Sequence, residues 1–344
     1  VDYKLTNVDT AVAILNYNGI RPLQLCLPSV VEHSTEAVIY IIDNASTDDS
    51  IEWVQTHYPS IKIIKLEHNL GFTGGYNEGL RHIQETTCVL LNSDVEVTKG
   101  WMDAPLFLLK NNSSIGAVQP TILDYYHRNQ FEYAGAAGGY IDRLGIPFCR
   151  GRLFHTIEND EGQYALESNI FWASGACMFI RTSVFFEVGG FDSDYFAHME
   201  EIDLCWRMHR SGYSILYTPR STVYHIGGAT LHKSNPKKLY LNVRNSLWTI
   251  HKNVHPKLLL KTLILRLCLD GLAGIQFFLL GKWSSTWAII KGHIHFYFKR
   301  NKMELRNRFS HLPYLTPSGI GGYKNVHIAF AYFVKKRKKF SEVF

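Results

Sequence analysis

Four apolar segments near the start of the chain each run into a polar or acidic residue, and that repeated ending constrains the fold most. They are VAILNY (12–17), AVIYIID (37–43), IKIIKL (61–66) and TTCVLLNSD (86–94). Apolar runs of about four to eight residues bounded by polar ones predict strands buried on both faces, as in a parallel sheet. The intervening stretches read as helices. Pro22 suits a first helical turn, with Leu23, Leu27, Val30 and Val31 at helical spacing behind it. SerThrAspAsp at 46–49 supplies N-cap chemistry for a helix over 50–57, and a glycine-rich turn leads into a helix after the third strand. Strand–helix alternation of this kind predicts a doubly wound, mostly parallel α/β sheet. In such sheets ligands bind beyond the carboxyl ends of the strands. Asp94 is delivered to that edge, and a buried unpaired carboxylate is too costly to serve as packing. It suits a metal ion or a sugar hydroxyl.

Beyond residue 100 the pattern loosens. KGWMDAPLFLLKNN reads as a helix and IGAVQPTIL (115–123) as a strand closed by Pro120. Residues 124–168 are turn-rich and polar, an expected inserted hairpin or loop lining a site. Strand character returns over 169–182, followed by a turn and a helix over 188–213 that stops at Gly212. SILYTPRSTVYHIGG predicts a short strand pair ending at His225. From about residue 235 the chain turns to leucine- and aromatic-rich helices, which sets the expected division at 8–232 and 233–344.

The 344 residues suffice for one large domain with an appendage, or for two. A hydrophobic content of 46% supports a substantial core, and there is no repeat or low-complexity segment. The six cysteines form no CxxC pair, which points to buried thiols in a reducing compartment rather than a disulfide frame or zinc site. VDYKLTNVDT lacks the basic-then-apolar layout of a signal peptide, so the expected location is cytoplasmic. A nucleic-acid role is the weakest option. The net charge of +6 is modest, and its basic run KKRKK (335–339) is short and terminal.

Several residue groups admit two readings. Gly71, Gly74, Gly75 and Gly79 lack G-x-G-x-x-G spacing and a P-loop ending. They suit either close helix–sheet packing or a backbone surface that admits a nucleotide sugar. Asp43 ends the second strand much as Asp94 ends the fourth, as a turn residue or as part of a nucleotide site. In MEEIDLCWRMHR, Glu200, Glu201 and Asp203 sit at a helix start, where the dipole alone stabilises acids. Asp203 and Arg207 stand at i and i+4 and can pair. The apolar surroundings also fit a carboxylate tuned to accept a proton. His225 reads as a core histidine or a metal ligand.

Taken in order, VAILNYNG, IIDNASTDDS, NLGFTGGYNEGL, LLNSDVEV, SGACMFIRTSVFFEVGGFD, MEEIDLCWR and VYHIGG resemble glycosyltransferase family 2, the inverting GT-A nucleotide-diphospho-sugar transferases. The likeness is strongest to the bacterial rhamnosyltransferase-like branch and spans about two-thirds of the chain. It implies a Rossmann-like sheet with helices on both faces, plus a C-terminal helical region. It also implies that Asn16, Asn18 and Asp43 hold the nucleotide base and ribose, with Asn69, Gly74, Gly75 and Asn77 completing the pocket. Asp94 matches the last acid of the DxD motif that binds Mg²⁺ or Mn²⁺ on the donor diphosphate, and His225 matches a histidine that reaches the metal. The motif's first acid is Asn92 here, a weaker and uncharged ligand placed to touch the sugar or ribose. The family's catalytic base is the Asp of a Glu-Asp pair. Glu201 stands at that place, one methylene longer, with Glu200 and Asp203 as candidates if the register differs.

The implied activity moves a sugar from a nucleotide-diphosphate sugar to a glycan or lipid-linked hydroxyl, in cell-surface polysaccharide synthesis. The alternatives are a metal-dependent nucleotidyltransferase and a non-catalytic sugar-nucleotide or polysaccharide-binding protein. KLLLKTLILRLCLDGLAGIQFFLLGKW (257–283) is the most apolar stretch. Lys261, Arg266 and Asp270 interrupt it short of the roughly 18 residues of a membrane span. It reads either as a helix packed on the catalytic part or as an interfacial helix, and with KKRKK it favours peripheral attachment to the inner face of the membrane. Arg244 and Asn245 are expected near the donor phosphates. The oligomeric state is left open.

Overall fold

The computed structural model describes residues 9–227, 236–299, 309, 311–315 and 319–344. Its first half is the predicted alternation: β1 (Thr10–Asn16), α1 (Ile20–His33), β2 (Val38–Asp43), α2 (Ser50–His57), β3 (Lys62–Lys65), α3 (Gly71–Gly79) and β4 (Thr87–Asn92). There follow β5 (Val95–Val97), α4 (Asp103–Asn111), β6 (Ile115–Asp124), β11 (Ser168–Asn169), β12 (Cys177–Arg181), α5 (Thr182–Glu187), α6 (Glu200–Arg210) and β13 (Ser214–His225). The main sheet runs β11-β13-β6-β12-β4-β1-β2-β3, with β5 paired to β13. β3, β2, β1 and β4 are parallel neighbours, as are β6 and β13, while β12 lies antiparallel between β4 and β6. Both faces are covered. Ala11 and Ala13 of β1 enter one apolar cluster, and Val12 and Ile14 enter the other. Burying Val12 or Ile14 contributes roughly 1.5–3 kcal/mol each.

Three expectations are corrected. Pro120 sits within β6 instead of closing it, aligned with Thr218 where the pairing with β13 jumps to Thr222. A proline lacks a ladder N–H, and such a bulge is where a strand tolerates one. Residues 214–225 are therefore one irregular strand, not a strand pair. Residues 124–168, expected as an inserted hairpin or loop, hold more than a hairpin and carry most of a second, smaller sheet: β7 (Gly139–Asp142), β8 (Pro147–Cys149), β9 (Arg152–Leu153) and β10 (Thr156–Ile157). β14 (Tyr323–Lys324) adds to it in parallel beside β7. Asp142 anchors this sheet, since its Oδ1 accepts from Leu144 and Ile146 N–H while its Oδ2 accepts from Ile328 N–H.

The C-terminal part is helical as expected, with α7 (Pro236–Asn253), α8 (Pro256–Leu279) and α9 (Trp283–Lys299). The expected division at 232/233, like the start at residue 8, lies outside the described residues. α7 is joined to the sheet region by buried ion pairs from Lys252 Nζ to Asp192 (2.6 Å) and Asp203 (2.8 Å). α8 is arranged inside out. Its Arg266 is buried and bonded to Ser246 of α7 (2.7 Å), and its Asp270 meets His293 of α9 (3.0 Å). Leu260, Leu272 and Leu279 meanwhile stand 71%, 65% and 77% exposed. Among the described residues no helix is long and apolar enough to cross a membrane.

Candidate active site

The carboxyl ends of β1, β2, β4 and β13 share one edge of the sheet, because these strands run in one direction. In register, Asn16 aligns with Asp43, and Leu15 with Asn92. The two connecting loops at β1 and β2 are knitted together. Asn16 Nδ2 donates to Ser46 Oγ (3.1 Å) and Ser50 Oγ (2.8 Å), and Asn18 Oδ1 accepts from Thr47 N–H (2.7 Å). Asp43 is buried and accepts from Ser46 N–H (3.1 Å). Asn16 Oδ1 is buried with no partner, so one acceptor on this shelf is unsatisfied.

The glycine-rich helix takes the packing reading. A Cβ on Gly75 would meet Leu15 at 2.7 Å, and one on Gly79 would meet Ile42 at 2.4 Å. Gly74 would strike Leu70 of the preceding turn at 2.7 Å. Gly75 and Gly79 thus let α3 settle on the sheet, and Gly74 lets its first turn pass Leu70. The Asn77 amide donates to Phe191 O (2.7 Å) and accepts from Phe191 N–H (2.8 Å), a latch between α3 and the 189–192 turn. Asn69 keeps an exposed place at the rim, where its Oδ1 accepts from Asn44 and from Gly71 N–H. Asn44 organises this rim, and sequence reading passed over it although it follows Asp43 directly.

Asp94 lies in the turn between β4 and β5, and β5 pairs with the end of β13 so that Val95 opposes His225. That pairing brings His225 Nε2 to 3.2 Å from Asp94 Oδ1, both side chains buried. Asn92, half-buried at the end of β4, is the nearest amide along the chain. Burial alone would raise the Asp94 carboxyl, but the charge of His225 holds it below its ordinary value. Burial alone would depress His225. The flanking carboxylates of Asp94 and Glu132 outweigh it and push the imidazole up to about 10. Glu132 reaches the other ring nitrogen, Nδ1, at 3.4 Å. Its segment was expected to be an inserted hairpin or loop lining a site, and nothing local to the sequence marks Glu132 itself. Among the described residues no group of three or more side chains forms a ready-made metal cage. Asp94 and His225 form a two-residue donor set, carboxylate oxygen and imidazole nitrogen, at a strand edge where remaining ligands would come from a substrate.

The acids of α6 separate sharply. Glu200 and Glu201 open the helix, and each keeps one buried oxygen without a partner among the described residues. Burial, with Glu201's charge beside it, pushes Glu200 well above its usual value. Burial pushes Glu201 up to about 7, against backbone N–H groups of the first turn that favour its charged form. The approach to this turn is strained. Phe196, His198 and Met199 all have positive φ (51°, 70° and 74°), conformations that non-glycine residues hold only where the surroundings enforce them. The enforcement comes from Asn245, whose amide donates to the Ala197 (2.9 Å) and His198 (2.7 Å) carbonyls. Arg244 donates to Asp194 O and lies over Trp248. Both therefore brace the loop before Glu200. His198 Nε2 is buried and unpartnered, and burial lowers its pKa to about 4.

Asp203 is corrected as a base. Its carboxylate accepts from Arg207 (3.0 Å), Lys252 (2.8 Å) and Asn253 (2.8 Å) with no exposure at all. Burial would raise it, but Lys252 and Arg207 hold it below the ordinary range. Enclosed and held charged by two cations, it is the least accessible of the three acids.

Asp94 thus pairs with His225 at the strand edge, while Glu200 and Glu201 keep unpartnered oxygens at the start of α6 among the described residues. A sequence profile for Glycosyl transferase family 2 matches residues 11–189, more than half of the chain. The chain belongs to glycosyltransferase family 2. It is 29% identical over 202 residues to the N-acetylglucosaminyl-diphospho-decaprenol L-rhamnosyltransferase of Mycobacterium tuberculosis, covering 54% of this chain and 66% of that one. It is 25% identical over 219 residues to the low-salt glycan biosynthesis hexosyltransferase Agl10 of Haloferax volcanii, covering 60% and 64%. The chain thus spans just under two thirds of the length of these curated relatives. Among solved structures it superposes on GalNAc-T7 with UDP, GalNAc and Mn²⁺ at TM-score 0.58 and 16% identity, covering 74% of this chain and 49% of that one. A mannosyltransferase from Pyrobaculum calidifontis, in complex with GDP-Man and Mn²⁺, gives 0.51 at 14% identity, covering 85% and 88%. The fold of this family 2 member is GT-A.

Proposed function

We propose that this family 2 chain transfers a hexose, with inversion, from a nucleoside-diphosphate sugar to a hydroxyl of a glycan or lipid-linked acceptor during cell-surface polysaccharide synthesis. The observation that carries the reading is Glu201. It is a half-buried carboxylate with one buried oxygen that has no partner among the described residues and a pKa raised to about 7, at the start of a helix presented by a strained loop. A general base is most effective when its pKa lies near the working pH.

Asp94 and His225 are the residues that would hold Mg²⁺ or Mn²⁺. When bound, the cation neutralises charge building on the departing nucleoside diphosphate. Asn16, through its unpartnered Oδ1, and Asn18, Asp43 and Asn69 line the shelf for base and ribose, with Asn92 toward the sugar. Glu201 takes the proton of the acceptor hydroxyl as that oxygen bonds to the anomeric carbon. The bond from that carbon to the diphosphate oxygen breaks on the opposite face. One displacement inverts the centre and needs no enzyme-bound sugar. Burial and the charge of Glu201 raise the Glu200 pKa well above its usual value, so Glu201 is the more readily ionised member of the pair.

The exposed leucines of α8 and the exposed Trp283 and Trp287 of α9, fringed by Lys257, Lys261, Lys282 and Lys291, support attachment to a bilayer surface on its cytoplasmic side. A lipid-linked acceptor would be presented there. The names of the relatives agree with this class of acceptor and product.

Glu201→Gln tests the reading in a donor-turnover assay. Release of nucleoside diphosphate by the parent chain and its loss in the variant are expected. Unchanged turnover would remove Glu201 from the chemistry, and release of pyrophosphate would mark nucleotidyl transfer instead.

A further inference from the structure

His225 is gripped from both sides. Its Nε2 faces Asp94 at 3.2 Å, and its Nδ1 faces Glu132 at 3.4 Å, an ion-pair distance without full hydrogen-bond alignment. A neutral imidazole has a single lone pair, and using it on a cation from Nε2 requires the proton to sit on Nδ1. Glu132 is the carboxylate that faces Nδ1.

The fold fixes Glu132 there by several independent means. Its N–H bonds to Ile122 O (3.0 Å), which ties the segment to β6, the strand beside β13. Its side chain also accepts from Ala134 N–H, which limits the carboxylate's rotation. Gly227, at φ +68°, passes so close that a Cβ there would lie 3.0 Å from Glu132 Oε1. Arg152 of the second sheet is buried nearby, its guanidinium bonded to Cys149 Sγ and stacked on Tyr133. Arg152 supplies positive charge behind the carboxylate, so the ionised form of Glu132 is not isolated in the interior.

We infer that Glu132 is a positioning residue of the candidate metal centre, holding the His225 ring so that Nε2 is the nitrogen turned to a divalent cation beside Asp94. The inference rests on the assignment of Asp94 and His225 as metal ligands given above. It makes the second sheet part of the site, because the segment leading into that sheet supplies the residue behind the ligand. Partners in this position govern metal affinity by about 10–100-fold in other proteins.

The test is a titration of Mn²⁺ alone into the full chain, with free Mn²⁺ followed by electron paramagnetic resonance. Glu132→Met keeps the length of the side chain and removes the acceptor, and is expected to weaken Mn²⁺ binding by about 10–100-fold. Glu132→Gln keeps an oxygen for Nδ1–H and is expected to stay within a few-fold of the parent. Metal-free melting curves identify any variant that fails to fold, and Glu132→Ala then replaces the Met variant. Parent-like binding by a folded Met or Ala variant would overturn the inference. So would a Gln variant as weak as Met, which would make Glu132 a direct ligand. His225→Ala separates the two levels: if it binds Mn²⁺ like the parent, the metal-site assignment itself fails, whereas a weak His225→Ala beside a parent-like Glu132→Met rejects only the positioning role.

Discussion

Two regions of this molecule bury ionisable groups, and they treat them in opposite ways. Where α6 meets α7, Asp192, Asp203, Arg207 and Lys252 are fully enclosed, with Lys252 joining both carboxylates. At the sheet edge and the first turn of α6, Asn16, Glu200 and Glu201 keep buried oxygens that bond to nothing. Glu201 and Asp203 stand two residues apart on one helix, so sequence context alone does not distinguish them. Their partners do. A satisfied buried charge secures the fold, while an unsatisfied one has a cost that only an occupant of the site can repay.

That contrast can be broken by experiment, beginning with the largest effect. Glu201→Gln is expected to lower turnover by about 10²–10⁴-fold with donor affinity retained. Its stability should move the other way. A carboxyl whose folded pKa lies above its unfolded value stabilises only below the unfolded pKa, and that stability is lost as pH rises toward about 7. The Gln variant should therefore melt no lower than the parent at pH 8. A lower melting temperature would place Glu201 among the structural acids.

Asp203→Ala should do the reverse, costing about 3–5 kcal/mol of stability by leaving Arg207 and Lys252 buried without their partner. Denaturant midpoints would measure it, and a loss under about 1 kcal/mol would contradict the enclosed network. Next in size is the pH profile. With Glu201 required in its charged form, activity should fall by roughly tenfold per unit once pH drops below about 7. A flat profile from pH 5 to 8 would exclude it as the base.

The smallest effect on stability is expected on α8. Leu272→Glu and Leu279→Glu, on its outward face, should change stability by no more than about 0.5 kcal/mol. The same changes should reduce co-sedimentation with vesicles containing anionic lipid. Arg266→Leu, on the inward face, should destabilise instead. Reversed outcomes would show that the leucines are covered by protein.

The chain announced some of this and hid the rest. β1, β2, β4 and α2 were legible because their signals are local: apolar runs, a capping sequence and helical spacing. Asp43 was legible for the same reason, as the last residue of β2, whereas Asp94 was expected to end its strand and lies two residues past β4, in the turn before β5. Pro120 misled because its tolerance depends on a bulge in β13, about a hundred residues away. The packing of Gly74 and Gly75, where an added Cβ would meet Leu70 and Leu15, and the bond of Asn77 to Phe191 depend on neighbours that the local sequence does not show. Asn245 was expected at the donor phosphates, and its role in bracing residues 197–198 depends on a long-range contact. Glu132 carried no signal at all, because its meaning is set by His225, which only tertiary pairing brings alongside. The inside-out face of α8 was half legible: the leucines were plain, but that Arg266 and Asp270 point inward required α7 and α9.

The most direct test of the account is a thermal-shift comparison of the parent chain with Asp94→Ala, using a panel of nucleotide sugars with and without Mn²⁺. A saturating donor should raise the parent's melting temperature only when Mn²⁺ is present, as mass action requires of a ligand held by the folded state, and Asp94→Ala should abolish the shift. Donor-induced stabilisation that is independent of Mn²⁺, or that survives in Asp94→Ala, would contradict the claim that the strand edge around Asp94 and His225 binds the donor through a metal.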